Sequence, residues 1–539
     1  MPKLSNKFLL IFIWLLWSAG TMAITTGDLL TAVKSAEDWP SMALERPELP
    51  DTYGTDNFLI HYTTEGEDAV FHPDVDINPR DGVPDYINRM SSFLEEAHHI
   101  YINVLGYDYP PSDEGFGGDE RYDIYVTTIT GLTVPEFRSE QYPERLAYAA
   151  YSYIGNDLRN EPHPDNPIPF LMATCAHEYF HAVQMAYRTY TEEDIAWWHE
   201  LTAVWAEDRV FSGLNEHYYY IDDYYSKINR SIYQTGGAHV YGAWIFAEYL
   251  SQNYGVNIIR MIWEKLINFD NSMAAITTSL SELGLNLDEE FSIFSGWNYF
   301  THHNYRPGFF VEGESYPVSV PIALSHYSYP TEVIETPQSI ENLGIAYVYF
   351  GNPGVVKTNL IIDFRSDIQS PEGLCIAAIY NNKPIEISTY NVPPNQNITL
   401  TVEDFDDCDG VVLCVNWRYQ SWTLSDSACY RYYAYLDTII VGVTAGKDSA
   451  PAEFSLDGNY PNPFNLSSNI IFHWNLKPSD YNIRFYDLGG RLIERLDGVA
   501  QTGVNSVQWT PSNDIASGVY FYRLNIGDMV ANRRMVLLK

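Results

Sequence analysis

The sequence predicts a multidomain chain in which an α+β domain is followed by β-sandwich domains. Residues 55–310 combine short strand patterns with long helical patterns, which indicates an α+β domain. Residues 315–445 consist of short β-rich runs between Asn, Pro and Gly turns, which is typical of a β-sandwich accessory domain. Residues 455–539 follow a linker-like stretch at 442–454 and predict a C-terminal Ig-like β-sandwich.

Apolar periodicity predicts the elements of the α+β domain. Alternation of apolar and polar residues predicts strands within 58–66, 121–129 and 145–155. Helical spacing of apolar residues predicts helices over 84–107, 168–188, 194–211 and 238–253.

The first residues have the layout of a secretory signal peptide. A basic start precedes the apolar run FLLIFIWLLW (8–17), and small residues end at Ala23, where cleavage is expected. Residues 1–23 are therefore predicted to be a signal peptide, and 24–54 a leader or propeptide. The apolar run is about half the length that spans a bilayer, so we expect no integral membrane segment in the mature chain.

Charge and cysteine content narrow the possible partners. A formal net charge of −39 argues against nucleic acid and anionic membranes, because both are bound through basic patches. The large negative net charge is explained either by a need for solubility outside the cell or by carboxylates that bind divalent cations. Cys175 stands apart and is expected to be a buried thiol. One or two disulfides, with no defined pairing, are compatible with the later cluster of Cys375, Cys408, Cys414 and Cys429.

The motif AHEYFH carries the main functional prediction, with His177, Glu178 and His181. Residues four apart lie on one face of a helix, so both imidazoles can reach one metal ion. Glu178 lies beside them and can accept a proton from a metal-bound water. Because so short a motif also arises by chance, two histidines that bind nothing are the alternative.

A third candidate ligand follows in the segment WWHELTAVWAE. Eighteen residues separate His181 from Glu200, which is room for a turn and a second helix that bring this carboxylate to the metal. Two histidines and one glutamate complete a catalytic zinc set with one position open for water. Glu207 lies two turns beyond Glu200 and can accept the N–H of a ligating histidine.

This pattern resembles the gluzincin peptidases of the aminopeptidase N type. In that family a tryptophan precedes the third ligand and another glutamate follows seven residues later, which Trp198, Glu200 and Glu207 match. The resemblance covers about 145–250. It implies a zincin-like fold in which Zn²⁺ is bound by both motif histidines and Glu200, with Glu178 as the general base.

The same resemblance implies an oxyanion-stabilising tyrosine shortly before a glycine on the next helix. Tyr241 precedes Gly242 in this way, with a spacing that differs from the family's, and a packing role is the alternative. The chain lacks the G-x-M-E-N segment with which the aminopeptidases bind a free amino end. The strand at 145–155 is expected to be a sheet edge that pairs with an extended peptide, which favours an endopeptidase acting on protein or peptide substrates.

An acidic loop, DVDINPRDGVPD, offers a candidate calcium site. Its oxygen ligands around a glycine turn are Asp74, Asp76, Asn78, Asp81 and Asp85. Such oxygens can bind Ca²⁺, and an acidic turn before a helix is an equal alternative. This loop and GGDERYDIYV (117–126) resemble segments of secreted metalloproteases inferred in gliding and related bacteria.

The C-terminal segment carries GNYPNPFN (458–465), LGGRLI and SGVYFYRL (517–524) in order. These motifs resemble the C-terminal sorting domain of type IX secretion. The resemblance implies the type IX machinery as a partner and a secreted or cell-surface location. An Ig-like accessory module is the alternative.

The sequence therefore predicts a secreted zinc metallopeptidase. A non-catalytic surface adhesin or glycan-binding protein on a peptidase-like scaffold is the competing hypothesis, and zinc-dependent hydrolysis of a non-peptide bond is also open. The complete ligand set with its adjacent glutamate favours catalysis, because a decayed site would be expected to lack one of these groups.

Overall fold

The computed structural model describes most of the chain from residue 46 onward. The described residues are 46–158, 166–189, 193–335, 339–355, 358–366, 372–380, 383–417, 427–438, 454–460, 462, 464–487, 491–512, 515–527 and 529–539. The expected signal peptide, the leader before residue 46 and nearly all of the linker at 442–454 lie outside them. Within the described ranges, no helix is long and apolar enough to cross a membrane.

A five-stranded mixed sheet forms one side of the N-terminal region. Its strands are β1 (Asp51–Gly54), β2 (Phe58–Tyr62), β3 (Tyr122–Thr127), β4 (Gly131–Arg138) and β5 (Tyr148–Gly155). Their order is β1-β2-β3-β5-β4, with β2, β3 and β5 parallel and the two edge strands antiparallel to their neighbours. The strand pattern at 145–155 is therefore β5, inside the sheet, and the expectation that it is an edge is wrong. The edge is β4, where Pro135 lies at a bulge, a place that tolerates a residue without an N–H.

The N-terminal region also contains most of the helices. They are α1 (Asp85–His98), α2 (Ile168–Gln184), α3 (Glu193–Val210), α4 (Ile221–Ser226), α5 (Ala238–Gly242), α6 (Trp244–Tyr254), α7 (Asn257–Leu266), α8 (Ser272–Glu282) and α9 (Leu287–Tyr299). Of these, α1 and α2 pack on the sheet. Short helical turns are a π-helix at His99–Val104, which continues α1, and 3₁₀ helices at Glu216–Tyr220, His302–Asn304 and Phe405–Asp407. The helix predicted over 238–253 is two helices that meet at Ala243.

The core of this region lies where α2 packs on the sheet and on α3. Helix α2 is buried on almost every side, so its sequence is largely apolar apart from the motif residues, Thr174 and Gln184. Trp197, Trp198 and Trp205 of α3 are fully buried in the same core. Burying large side chains of this kind contributes about 1.5–3 kcal/mol each. The two helices that carry the candidate ligands are therefore held by the largest apolar cluster of the protein.

A β-sandwich follows the helical region. Its strands are β6 (Leu324–His326), β7 (Ile334–Glu335), β8 (Ile340–Glu341), β9 (Ile345–Gly351), β10 (Thr358–Ser366), β11 (Glu372–Ile379), β12 (Glu386–Val392), β13 (Asn397–Val402), β14 (Gly410–Trp417), β15 (Ser427–Ala428) and β16 (Tyr430–Thr438). One sheet has the strand order β13-β10-β16-β7, and the other has the order β12-β11-β14-β9-β6. The strands β8 and β15 pair with each other.

The sandwich is packed directly against the helical region. Leu374 and Leu413 point into the sandwich interior, whereas their neighbours Cys375 and Cys414 belong to the core that includes the helices. This alternation buries both faces of β11 and β14, which explains why their sequences read as continuous apolar runs.

All five cysteines are free thiols, so the disulfides that the sequence allowed are not formed. Cys375 and Cys414 lie directly opposite each other on β11 and β14. Cys175 is a buried thiol, as expected.

The C-terminal region is a second, smaller pair of sheets. The strands of this region are β17 (Phe454–Tyr460), β18 (Ser468–Trp474), β19 (Ser479–Tyr486), β20 (Leu492–Ala500), β21 (Gly503–Trp509), β22 (Gly518–Ile526) and β23 (Met529–Leu537). The first sheet has the strand order β17-β18-β21, and the second has the order β20-β19-β22-β23. Its core is separate, with the stacked rings of Phe485 and Trp509 at 4.1 Å.

Residues 46–54, which the sequence analysis assigns to the leader, are built into the α+β domain. Strand β1 pairs with β2 along its whole length. The guanidinium of Arg46 contacts the carboxylates of Asp113, Asp123 and Glu136, with its Nη2 2.7 Å from Asp113 Oδ2. Burial raises the pKa of Asp113 to about 7, although Arg46 opposes this. The described part of the leader thus supplies the cation of a largely buried ion cluster.

Replacing this cation should destabilise the domain. Arg46→Met leaves three carboxylates close together without their shared partner, so we expect a loss of about 3–5 kcal/mol in the free energy of unfolding. Urea unfolding followed by tryptophan fluorescence measures it, with the exposed Arg80→Met as the control. Equal stability of the two variants would show that the segment before β2 is only loosely attached.

Candidate functional site

The helices α2 and α3 bring His177, His181 and Glu200 to one point. The two Nε2 atoms lie 3.0 Å apart, and they are 3.5 and 3.6 Å from Oε2 of Glu200. Two residues one helical turn apart on α2 thus face a carboxylate from the neighbouring helix. One ligand atom from each residue lies within 4.8 Å of the others, which is the arrangement of a group that could hold a metal ion.

The carboxylate of Glu200 lacks the partners that a buried charge requires. The residue is 1 % exposed, and neither of its oxygens accepts a hydrogen bond from any residue in the described ranges. Burial disfavours its charged form, but the adjacent histidines lower the pKa of the Glu200 carboxyl to about 2. An ionised, buried carboxylate facing two imidazole nitrogens is a donor set that fits a divalent cation such as Zn²⁺.

Each histidine is oriented by a hydrogen bond at its other nitrogen. Nδ1 of His177 lies 2.7 Å from Oε1 of Glu207, and Nδ1 of His181 lies 2.8 Å from Oε1 of Gln184. Donation from Nδ1 to these oxygens leaves Nε2 as the lone-pair nitrogen that points to the shared centre. The structure therefore places Glu207 where the sequence analysis expects it. Gln184 was missed, and its only signal was its position three residues after His181.

Gln184 also joins the two helices. Its Oε1 lies 2.8 Å from Nδ1 of His199, and its Nε2 donates to the His199 carbonyl and to the hydroxyl of Thr202. All of these groups are buried. The amide therefore fixes the position of α2 relative to α3 at the level of the ligands.

Glu178 points toward the sheet edge beside the two histidines. Its Oε2 accepts a hydrogen bond from the hydroxyl of Thr133 on β4 at 2.8 Å, and Thr133 Oγ is 2.7 Å from Ser152 Oγ. A Cβ at Gly131 would lie 2.7 Å from Oε1 of Glu178, so this position on β4 needs glycine for the carboxylate to fit. Burial raises the pKa of Glu178, which suits a group that must exchange a proton. The roles of Gly131 and Thr133 are visible only in the folded chain.

Tyr241 lies near His177, and its role at the site stays a prediction. Its ring is 6.1 Å from that of His177, and the residue is partly exposed. A Cβ at Gly242 would lie 2.4 Å from the carbonyl oxygen of Tyr220, so this glycine lets α5 approach closely enough to place the tyrosine. His239, on the preceding turn, is buried elsewhere and lies 3.1 Å from the Ser231 carbonyl.

The acidic loop is organised by hydrogen bonds to its own backbone. Asp76 accepts from the N–H groups of residues 81 and 82, and Asp85 Oδ1 accepts from those of residues 77 and 78. Asp81 accepts from the Val83 N–H and from the side chain of Asn88. Asp74, Asp76, Asn78, Asp81 and Asp85 are not among the clusters of possible metal ligands in the described ranges. The calcium site therefore stays a prediction from sequence.

The C-terminal region matches a known family. The model of the family "Secretion system C-terminal sorting domain" matches residues 459–538. These residues are a type IX secretion sorting domain. The resemblance seen in the sequence is thereby confirmed, and the domain indicates export to the cell surface or the extracellular space.

Similarity to solved structures is low throughout. Latent PorU from Porphyromonas gingivalis has 13 % identity and a TM-score of 0.17, covering 39 % of this chain and 20 % of that one. PorZ, a surface component of the type IX secretion system of the same organism, has 15 % identity and a TM-score of 0.13, with 30 % and 22 % covered. The Endo-D glycoside hydrolase domain of Streptococcus pneumoniae R6 has 8 % identity and a TM-score of 0.13, with 38 % and 33 % covered.

The chain thus spans about a third or less of these proteins, and at such TM-scores they carry no functional argument. No curated protein matches the sequence.

Removing the amide of Gln184 should loosen the site without replacing any of the three candidate ligands. Gln184→Met preserves the volume but leaves buried N–H groups of two histidines without acceptors, each costing about 1–3 kcal/mol. Urea unfolding of the metal-free protein is the measurement, with Gln141→Met at an exposed position as the control. If both variants unfold alike, the amide does not hold the helices together.

Proposed function

We propose that this protein is a secreted zinc-dependent metallopeptidase, with His177, His181 and Glu200 as the zinc ligands. The observation that carries the proposal is the buried Glu200 carboxylate, which faces two imidazole nitrogens and has no hydrogen-bond donor among the described residues. Two nitrogens and one carboxylate are the ligand set of catalytic zinc sites that keep a position open for water. The gluzincin-like spacing of the motif supports the same assignment, and with it a zincin-like fold.

The residues around the ligands divide the chemistry of hydrolysis between them. When bound, Zn²⁺ supplies a Lewis acid that polarises a carbonyl and acidifies water. Glu178 takes the proton of the attacking water and delivers it to the leaving amine, while Thr133 holds its carboxylate in place. Tyr241, whose ring lies 6.1 Å from that of His177, would donate a hydrogen bond from its hydroxyl to the oxyanion that develops on the carbonyl. Glu207 and Gln184 keep both imidazoles in the ligating tautomer.

The edge strand β4 favours an endopeptidase. It is the last strand of the sheet in the described part of the chain, and Thr133 on this strand contacts Glu178. An extended peptide that pairs with β4 would run past the candidate base and ligands, which is how β-strand addition positions a chain. Pro135 has no N–H, so at this position an added chain could bond only to the carbonyl group.

The first test of this function is metal content combined with cleavage of casein. The wild-type mature chain should carry zinc and cleave casein in a chelator-sensitive way. Glu178→Gln should keep the metal but lose about 10²–10⁴-fold in kcat/KM, because only the proton acceptor is removed. Glu144→Gln, at an exposed position, is the control and should retain activity.

The outcomes separate the competing functions. Full activity of Glu178→Gln would contradict the role of the general base. Zinc with no cleavage of casein, but with Glu178-dependent cleavage of an ester or amide, would favour hydrolysis of a non-peptide bond. Absence of bound zinc would favour the adhesin or glycan-binding hypothesis.

The acceptor for His177 should control metal affinity. Glu207→Gln removes the charge that supports the Nδ1 proton, so we expect zinc affinity to fall by about 10–100-fold. Competition with a fluorescent chelator measures the affinity, and Asp222→Asn, an exposed change on α4, serves as the control. Unchanged affinity in Glu207→Gln would mean that the glutamate is only a packing partner.

A further inference from the structure

A second cluster of possible ligands lies one residue beyond Glu207. It consists of Asp208 on α3, His217 on the 3₁₀ helix Glu216–Tyr220 and Glu312 on the loop after residue 304. One ligand atom from each residue lies within 4.8 Å of the other two. No residue of this cluster belongs to the candidate catalytic site, and the sequence analysis did not single it out. It joins the end of α3 and the 3₁₀ helix that follows to a loop about a hundred positions later in the chain.

His217 is the residue that points to a ligand. It is 2 % exposed, and one of its ring nitrogens lies within 4.8 Å of a carboxylate oxygen of Asp208 and of Glu312. Trp244 fixes the ring through an edge contact at 4.4 Å and donates its Nε1–H to the His217 carbonyl at 3.1 Å. A buried imidazole that is held in one orientation beside two carboxylates is suited to ligate a metal ion.

The carboxylates of Asp208 and Glu312 are held by neighbouring side chains through one oxygen each. Oδ2 of Asp208 contacts Arg209, whereas its Oδ1 is buried and has no hydrogen-bond partner in the described part of the chain. One oxygen of Glu312 accepts a hydrogen bond from the hydroxyl of Tyr218 at 2.8 Å. Both carboxylates are therefore oriented by neighbours that do not satisfy all of their acceptor sites.

The local charge is unbalanced in favour of a cation. Glu248 Oε2 lies 3.1 Å from Arg209 Nη2, and this guanidinium also serves Asp208. Together with Glu312, these are three acidic groups around one basic group. A divalent cation would neutralise the remaining negative charge.

We propose that Asp208, His217 and Glu312 form a second metal site, which takes a divalent first-row transition ion such as Zn²⁺. The imidazole nitrogen selects such an ion over Ca²⁺ or Mg²⁺, which take oxygen ligands. The ion links the end of α3 to the 3₁₀ helix and to the loop that leads into the β-sandwich. Since Glu207 is the residue before Asp208, this link also steadies the acceptor of His177. The proposal does not depend on catalysis.

Zinc titration of the full chain after removal of metal by a chelator tests this site. Calorimetry with Zn²⁺ should give about two equivalents for the wild type and about one for Glu312→Gln. Glu314→Gln, two residues away and exposed, is the matched control and should bind as the wild type does. His217→Gln should also lose one equivalent, and circular dichroism checks its folding. Because Glu312 is partly exposed, its variant carries the test even if His217→Gln fails to fold.

The variant His181→Gln separates this site from the catalytic one. It should lose one equivalent, and combining it with Glu312→Gln should remove the second. If Glu312→Gln binds as many zinc ions as the wild type, the second site does not exist. Arg209 and protonation of the carboxylates then balance the charge of the cluster. If Glu312→Gln loses an equivalent and His181→Gln does not, the second site stands and the proposed catalytic site fails.

Discussion

The contact between α2 and α3 determines the position of every group in the candidate catalytic site. Both helices belong to the same apolar core, and most of their polar side chains are buried. A buried polar group that lacks a partner is costly, so the two helices can pack only where these groups meet. Gln184 shows the constraint, since a single amide satisfies groups on both helices.

The sheet completes this arrangement from the other side. Because α2 packs on β4 and β5, the residue between the two motif histidines faces the sheet edge, where Thr133 and Gly131 leave room for its carboxylate. The edge strand, the proton acceptor and the candidate ligands thus share one small volume.

Much of the site could be predicted from the sequence, because the spacing of residues in a helix determines which side chains lie on the same face. His177 and His181 are one turn apart, and Glu207 follows Glu200 by two turns. Each pair therefore shares a helix face even when the ends of the helix are predicted a few residues off. The α+β character and the β-rich later regions followed from patterns of the same local kind. The C-terminal sorting domain was recognisable because its motifs appear in order.

The remaining features depend on contacts between distant segments. Strand β4 contains Pro135 and reads poorly as a strand, so the neighbouring apolar run of β5 was mistaken for the edge. Arg46 gives no signal in its own segment, since its three carboxylate partners lie far along the chain. The spacing of the cysteines in the β-sandwich region could not show whether they are free thiols or form disulfides. His217 and Glu312 are 95 positions apart and meet only through the fold.

The most direct test of the central claim is anomalous diffraction at the zinc edge from crystals of the zinc-loaded protein. The account predicts a strong anomalous peak about 2.0–2.2 Å from Nε2 of His177, Nε2 of His181 and a carboxylate oxygen of Glu200. Zinc-loaded crystals with these three side chains ordered and no anomalous density between them would contradict it.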